Sequence, residues 1–403
     1  ATLVARETGA TAKAVLGTMI ENIAVAERTG NLLWDLSSAF DTIDVDILCN
    51  KLAIYGVGGK SVEWFRSFLS NRRQQVQVGS CASSARETSV GCPQGSLLSP
   101  LLFLIYVADL ELWVHDVRVH GYADDFSTSY SAHSEEEIIA KLEEDAERIL
   151  KFMASNYLNT NAKKTGFMII RTKENQSQRE VRIGSERVIE AENHRILGLV
   201  VDNKLTWKDH VYGGLLQDVR RRVGALRRIS YQVPRSYLPS IASAIIGSKV
   251  RYGISMYCPV RMMEDDPTPS AMKDIQVVLN NAMRIATGWK IKDRVPIVEL
   301  VRSTNIPTVN HMSAQSKLSL AWHAVKNEKH PLNDVFTNES TCPFVFSRGR
   351  SRGDLRTSAK STLGQRNFPE PSIRLWNKTP ETLRAAGSNG IFKSKARNFI
   401  SSL

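Results

Sequence analysis

The residues in this sequence whose types and spacing could do chemistry are two adjacent carboxylates, Asp124 and Asp125. Apolar, β-branched or aromatic residues on both sides predict two short strands, with Ala123-Asp124-Asp125 as the tight turn between them. Adjacent carboxylates repel each other and lose solvation unless a cation lies nearby, and Mg²⁺ prefers hard oxygen ligands. The turn therefore predicts a metal site. The alternative is a solvent-exposed Asp-Asp turn, which is the commoner fate of such a pair.

A third carboxylate, Asp35, lies in the short apolar run 32–36. Such a run predicts a buried strand that delivers Asp35 to its end. In an α+β sheet the three carboxylates can meet at one edge. There they could hold two Mg²⁺ ions about 3.5–4 Å apart, the arrangement that enzymes of phosphodiester chemistry use.

The elements that must position these residues follow from periodicity and from turn residues. Gly30-Asn31 is expected to end a first helix and to precede the strand that carries Asp35. A buried helix is expected over Leu97–Trp113, with Pro100 in its first turn, and another is expected to begin at Ser134. Further helices are predicted at 10–28, 45–55, 60–70, 236–256, 272–287, 309–325 and 391–399, and further strands at 74–78, 86–90, 166–171 and 196–201.

Composition indicates a folded protein with an anionic partner. The chain has 403 residues, 42% hydrophobic and 23% charged, with a net charge of +12. That charge favours nucleic acid before membrane as the partner. Five scattered cysteines form no disulfide or zinc pattern and indicate a reducing compartment. Arginines cluster at 220–222 and 227–228, after a domain boundary predicted near residue 203.

Several short motifs together resemble those of one polymerase family. Asp35-Leu-Ser-Ser-Ala-Phe-Asp41, Pro93-Gln-Gly-Ser96, Tyr122-Ala-Asp-Asp125, Asn161-Ala-Lys-Lys-Thr165 and Leu197-Gly198 occur in the order of the palm motifs of reverse transcriptases. Trp34-Asp35, Leu205-Thr-Trp207 and Leu375-Trp-Asn-Lys-Thr-Pro380 are similar to reverse transcriptases of non-LTR, LINE-type, jockey-like retrotransposons. Each motif alone is weak evidence, whereas the ordered set is specific and covers nearly the whole chain.

The resemblance implies a right-hand polymerase palm with partial fingers, followed by a helical basic thumb and a C-terminal region. The expected boundaries are 1–30 for a remnant of the fingers, 31–202 for the palm, 203–300 for the thumb and 301–403 for the basic C-terminal region. The chain begins at Ala1 without Met, which suggests a fragment. Because residues that hold the triphosphate lie further upstream in the family, the chain alone is expected to bind primer–template but to polymerise poorly or not at all.

The resemblance also implies roles for particular residues. Asp35, Asp124 and Asp125 match the catalytic carboxylates, with Asp35 and Asp124 as the preferred metal ligands and the Leu36 carbonyl as an additional one. Phe40 matches a steric gate against a ribose 2′-hydroxyl, and the alternative is a core phenylalanine. Gln94 and Gly95 match a loop that contacts the incoming nucleotide. Lys164 is similar to a lysine near the leaving pyrophosphate, a general acid, and the alternative is a solvated lysine. Leu197 and Gly198 resemble the primer grip. Asp41 and Asp44 have no assigned chemistry, and helix capping is expected.

The implied function is RNA-templated DNA synthesis from a primer 3′-hydroxyl. The cofactor would be two Mg²⁺ ions, with Mn²⁺ as an alternative, and the partners an RNA template, a DNA primer and dNTPs. Arg220, Arg221, Arg222, Arg227 and Arg228 would contact nucleic acid, although they cannot all share one helix face. The expected location is intracellular, in cytoplasm and nucleus. Two alternatives remain: an RNA-dependent RNA polymerase, and a truncated, non-catalytic remnant that binds RNA.

Overall fold

The computed structural model describes residues 28–161, 164–171, 178–261, 269–328, 330, 332, 333, 336, 355 and 370–401. The chain forms two compact units. Among the described residues, the first unit comprises 28–169 and 178–191, and the second comprises 170, 171 and those from 192 onward. Helices and strands both occur, so the α+β class is confirmed. The helix predicted at 10–28 and the basic tail around 348–356 lie almost wholly outside the described residues.

The first unit carries most of the strands, although Ile170 and Arg171, the last two residues of one of them, belong to the second unit. They are β1 (Arg28–Trp34), β2 (Leu36–Ser37), β3 (Arg72–Gln74), β4 (Gln77–Val78), β5 (Cys81–Ala82), β6 (Arg86–Thr88), β7 (Arg118–Tyr122), β8 (Asp125–Ala132), β9 (Asn159–Thr160), β10 (Gly166–Arg171), β11 (Glu180–Ile183) and β12 (Glu186–Ile189). Its helices are Val45–Ile54, Gly59–Leu69, Ser99–Val107 and Glu135–Ser155, with a 3₁₀ turn at Ala108–Leu112.

The central sheet has four strands in the order β10-β1-β8-β7. Strands β1 and β8 pair antiparallel over their full length, from Arg28 opposite Ala132 to Trp34 opposite Phe126. The helix Glu135–Ser155 packs on this pair and buries Ile138, and Ser134 caps its first turn as predicted by accepting a hydrogen bond from the amide of Glu137. The core therefore lies between the sheet and this helix.

Gly30 lies inside β1, so the prediction that Gly30-Asn31 ends a segment before the strand was wrong. The reason is a close approach of the helix. A Cβ at Gly30 would lie 2.2 Å from Cγ2 of Ile138, so only glycine lets the helix pack against the strand here. Helix packing, and not a break in the chain, explains this glycine.

Two other elements differ in extent from the predictions. The helix expected over Leu97–Trp113 is α-helical only over Ser99–Val107 and continues as the 3₁₀ turn, while Pro100 lies in its first turn as predicted. The strand expected at 74–78 is divided into β3 and β4, which pair with β6 and β5. This hairpin is almost wholly exposed, so no core face imposes one continuous register on it.

The second unit is mainly helical. Its helices are Lys208–His210, Leu216–Ile229, Leu238–Ala242, Ser248–Arg251, Ile254–Tyr257, Ser270–Thr287, Ile297–Thr304, Val309–Lys326, Glu370–Lys378, Glu381–Arg384 and Asn389–Ser401. Shorter pieces are π-helical turns at Val211–Leu215 and Ser243–Gly247 and 3₁₀ turns at Arg235–Tyr237 and Ile291–Asp293. None of the helices in the described ranges combines the length and apolar character that a bilayer span needs.

One prediction in this unit was wrong in kind. The segment 196–201 is not a single strand but a hairpin of β13 (Asn193–Ile196) and β14 (Leu199–Asp202). Leu197 and Gly198 form its two-residue turn and have φ angles of 47° and 82°. Two successive residues with positive φ are typical of a tight hairpin turn. An apolar leucine in such a turn gave no sequence signal for it.

Candidate active site

The predicted acidic hairpin is present, with its turn one residue shorter than expected. Tyr122 pairs with Asp125 at the end of β7 and β8, so Ala123 and Asp124 alone form the turn. Asp125 is the first residue of β8. Ala123 has a φ of 52°, a left-handed conformation that costs an alanine about 1–2 kcal/mol. The backbone at the hairpin tip is therefore strained next to the two carboxylates.

Asp35 reaches the same end of the sheet because it follows β1 directly. The last residue of β1, Trp34, is paired with Phe126, and the two rings stack with centroids 5.5 Å apart. The backbone carbonyl of Asp35 accepts a hydrogen bond of 2.8 Å from the amide of Asn161. Strand pairing thus brings Asp35 and the hairpin carboxylates together, as the sequence predicted.

The three carboxylates are close enough for the charges of Asp35 and Asp124 to act on Asp125. The pKa of Asp125 is raised, first by partial desolvation and then by the negative charges of Asp124 and Asp35. Lys164 supplies a cation, with its Nζ 3.8 Å from Oδ2 of Asp35. The site is therefore an acidic cluster with one lysine at its border.

Carboxylate oxygens and concentrated negative charge suit a divalent cation by donor type. In the described part of the chain, however, no three His, Cys, Asp or Glu side chains stand together as a closed ligand set. The residues thus fit a metal by their chemistry, and the metal-binding role of Asp35, Asp124 and Asp125 stays a prediction.

The residues predicted to contact the nucleotide lie in two loops that are hydrogen-bonded to each other. The amide of Cys92 donates to the carbonyl of Phe40 at 2.8 Å, and the amide of Gly91 donates to the carbonyl of Ile43 at 2.7 Å. A Cβ at Gly91 would lie 2.8 Å from the Cα of Asp41, so the two backbones touch here. The loops 38–43 and 91–96 are therefore fixed relative to each other.

The residues predicted to bind the nucleotide or to add a metal ligand differ in burial. The ring of Phe40 is half-buried and packs on Phe103 with centroids 4.8 Å apart. Gln94 and Gly95 are exposed, and Gly95 has a φ of 84° with open space where a side chain would be. Leu36 is buried and pairs with Thr160 across β2 and β9. The contacts of Phe40, Gln94 and Gly95 with a nucleotide, and of the Leu36 carbonyl with a metal ion, stay predictions.

The two acidic residues left without a role have different surroundings. Asp44 caps the helix Val45–Ile54, as predicted, by accepting a hydrogen bond of 2.9 Å from the amide of Ile47. Asp41 caps no helix; it accepts from Nε2 of Gln94 at 3.0 Å.

The predicted primer grip lies in the second unit. The carbonyl of Leu197 accepts a hydrogen bond from the hydroxyl of Tyr252. A Cβ at Gly198 would lie 3.6 Å from Cε1 of the same ring, in ordinary contact. Tyr252 therefore supports the strained turn of the β13–β14 hairpin. Contact of this turn with a primer stays a prediction.

The arginine cluster lies on the helix Leu216–Ile229 and divides into two groups. Arg222 is half-buried, pairs with Asp218 at 3.3 Å and donates to the carbonyl of Ile245 at 3.0 Å. The other four arginines are exposed. At about 100° per residue they cover one continuous face of roughly 120°. The prediction that the five arginines cannot all share one helix face is confirmed. Arg222 lies on a different face, and the other four lie on one face.

A buried carboxylate that supports the hairpin was missed from the sequence. Asp145 is fully buried and accepts hydrogen bonds from the amides of His115, Asp116 and Val117, just before β7, and from Arg148. The signal was available, because Ile138, Leu142, Asp145, Ile149 and Phe152 follow the apolar spacing of the helix. An acid at a core position indicates a structural anchor.

Three carboxylates at one end of the sheet, beside a lysine, are the arrangement that the sequence motifs predict for a polymerase palm. Comparison with known proteins gives the family. Residues 15–201 match the family described as "Reverse transcriptase (RNA-dependent DNA polymerase)". This segment is therefore similar to the reverse transcriptase family, and the chain resembles the polymerases of LINE-type, non-LTR retrotransposons.

Three relatives from Drosophila melanogaster illustrate the similarity. The probable RNA-directed DNA polymerase from transposon X-element is 26% identical over 64% of this chain and 28% of its own length. That of mobile element jockey is 25% identical over 48% of this chain and 22% of its own length. The probable RNA-directed DNA polymerase from transposon BS is 30% identical over 44% of this chain and 20% of its own length. The chain thus spans about a quarter of the length of these relatives.

Among solved structures, telomerase from Candida albicans in complex with a telomeric RNA fragment matches at a TM-score of 0.37 and 13% identity. The match covers 72% of this chain and 52% of the telomerase chain. That level of similarity does not define a common fold.

Proposed function

We propose that this chain is the polymerase part of a non-LTR retrotransposon protein and that it extends a primer 3′-hydroxyl with dNTPs on an RNA template. The observation that carries the proposal is that strand pairing places Asp35 at the same end of the sheet as Asp124 and Asp125. There partial desolvation, and then the negative charges of Asp124 and Asp35, raise the pKa of Asp125. Relatives named RNA-directed DNA polymerase support it.

In the proposed mechanism the carboxylates would hold divalent cations, with Asp35 and Asp124 as the direct ligands. Two Mg²⁺ ions, when bound, would activate the primer hydroxyl and neutralise charge on the leaving pyrophosphate. Lys164 lies beside Asp35 and remains largely exposed, so its ammonium can reach a ligand at this border and give a proton to the leaving group.

Phe40 is proposed to select the sugar. The ring is fixed on one side by Phe103 and half-exposed on the other, so it can present a rigid surface to a bound sugar. A 2′-hydroxyl would collide with that surface. The exposed arginines of the helix Leu216–Ile229 are proposed to contact phosphates of the template–primer duplex, and Leu197-Gly198 the primer strand.

The test is primer extension on an RNA template with dNTPs and with rNTPs, using the natural polypeptide that carries these residues. DNA synthesis that requires the RNA template supports the proposal. A preference for rNTPs would show an RNA polymerase instead. Binding of the duplex without extension by either nucleotide would show a non-catalytic binding protein. Action in cytoplasm and nucleus is part of the same proposal.

A further inference from the structure

The loop that carries Gln94 has a partner in Asp41. Nε2 of Gln94 lies 3.0 Å from Oδ1 and 3.3 Å from Oδ2 of Asp41. Both side chains are exposed, so a ligand can reach them. The backbone hydrogen bonds of Gly91 and Cys92 to the neighbouring loop hold this pair in register.

The charge of Asp41 determines how the Gln94 amide is oriented. An ionised carboxylate only accepts hydrogen bonds, so the amide must turn its NH₂ group toward Asp41. The carbonyl Oε1 of Gln94 is then the end that points away from Asp41. A ligand that contacts Gln94 here therefore encounters the acceptor Oε1, with the negative charge of Asp41 close to it.

We propose that Asp41 is a positioning residue, which presents Oε1 of Gln94 as a hydrogen-bond acceptor to the sugar of the incoming nucleotide. The inference rests on the proposed function. Ionised phosphates only accept hydrogen bonds and are repelled by Asp41, so they do not suit this corner. A sugar hydroxyl can donate to Oε1. A dNTP has one such hydroxyl, at its 3′ position, so the pair selects nucleotides that carry a 3′-hydroxyl.

The place of Asp41 next to Phe40 agrees with this assignment. Phe40 is proposed to face the 2′ side of the sugar, and the carbonyl of Phe40 accepts from Cys92 in the loop of Gln94. Phe40, the proposed steric gate, and Gln94, which carries the acceptor, thus belong to two loops that are hydrogen-bonded to each other. Phe40 and Gln94 would then contact two sides of the same sugar.

The test compares single incorporations of dNTP and 2′,3′-dideoxy-NTP by the wild type and by Asp41→Ala, Asp41→Asn and Gln94→Ala. We expect the wild type to prefer dNTP in kcat/KM. Asp41→Ala and Gln94→Ala should each reduce that preference by about five- to tenfold, the size of one hydrogen bond at an exposed site. Asp41→Asn should lie between, because asparagine can hold either end of the amide. The double variant Asp41→Ala/Gln94→Ala should lose no more than either single variant.

The matched control is Asp46→Asn, which removes a nearby exposed charge that pairs with Arg66. It should leave the preference unchanged. An equal fall in kcat/KM for both nucleotides in Asp41→Ala would show a purely structural role and overturn the inference. An unchanged preference would overturn it too. A wild type that incorporates neither nucleotide would contradict the proposed function itself, and this inference would fall with it.

Discussion

Nζ of Lys164 lies 3.8 Å from Oδ2 of Asp35, with the lysine side chain 69% and the aspartate side chain 41% exposed. A pair so exposed contributes little to folding, between about 0 and 1 kcal/mol. Stability therefore does not explain the position of Lys164 beside the acidic cluster, and the proposed role of this lysine is chemical.

Lys164→Met is expected to lower the rate of nucleotide incorporation about 100-fold, because a positioned general acid contributes about 10²–10⁴ in rate. The free energy of unfolding should stay within about 0.5 kcal/mol of the wild type. Single-turnover incorporation and chemical denaturation measure the two effects. Lys141→Met, which removes a surface lysine paired with Asp116, is the control and should leave the rate unchanged. An unchanged rate in Lys164→Met would mean that Lys164 is only a solvated lysine.

Phe40→Val is expected to admit ribonucleotides, since the shorter side chain no longer meets the 2′-hydroxyl. The loss of discrimination should be about 1–3 kcal/mol. Because the ring also packs on Phe103, stability should fall as well. Phe103→Leu separates the two effects, because it disturbs the same ring pair from the core side. Phe103→Leu should lower the free energy of unfolding and leave the ratio of rNTP to dNTP efficiency unchanged. A changed ratio in this variant would mean that altered packing, and not a steric gate, explains the admission of ribonucleotides.

Ala123→Gly is expected to stabilise the protein by up to about 1 kcal/mol. Glycine removes the strain of the φ of 52° but has a larger conformational entropy in the unfolded chain. Ala132→Gly in β8, whose φ is not positive, is the control and should destabilise by a similar amount. Urea denaturation of the two variants gives the comparison. Destabilisation by both would show that the backbone at Ala123 is not strained.

The pKa of Asp145 gives stability a dependence on acid pH. Burial acts to raise this pKa, but the hydrogen bonds from Val117, Asp116, Arg148 and His115 outweigh it and hold the pKa below its usual range. The native state therefore binds the proton less readily than the unfolded chain. The contribution of Asp145 to the free energy of unfolding is fully present above about pH 4, the pKa of an aspartate in the unfolded chain. It is lost as the pH falls through the lower pKa of Asp145 in the native state.

Asp145→Asn should thus cost about 2–3 kcal/mol near neutral pH and progressively less toward pH 3. Glu144→Gln, which changes an exposed acid on the same helix, is the control and should show little of this dependence. Unfolding free energies at several pH values decide the matter. A cost for Asp145→Asn that does not change with pH would contradict the role of the carboxylate charge.

The exposed arginine face should bind duplex through phosphates. Arg220→Gln with Arg227→Gln is expected to weaken binding of RNA–DNA duplexes of any sequence about equally. The slope of log K against log salt should flatten by about one unit for each phosphate that is no longer neutralised. Arg222→Gln is the control, because that side chain is already engaged by Asp218 and Ile245. An unchanged slope in the double variant would mean that these arginines only face solvent.

The sequence was informative where a local pattern specifies geometry. Alternating residues around Asp124 predicted the hairpin, and an apolar run ending at Asp35 predicted the strand. The pairing of Asp41 with Gln94 joins residues far apart in the chain and has no local signal. The turn at Leu197-Gly198 was missed because leucine rarely adopts a positive φ and Tyr252, which supports it, lies 55 residues further on.

The hairpin carboxylates are proposed to carry out the polymerase chemistry, and Asp124→Asn tests this role most directly. The exchange conserves shape at an exposed turn residue, so the circular dichroism spectrum and duplex binding should be those of the wild type. Primer extension on an RNA template should fall by at least about 100-fold, because the turn has lost a charge that the transition state needs. Asp116→Asn, which changes an exposed acid just before β7, should extend normally. Extension by Asp124→Asn at close to the wild-type rate would contradict the assignment of this site.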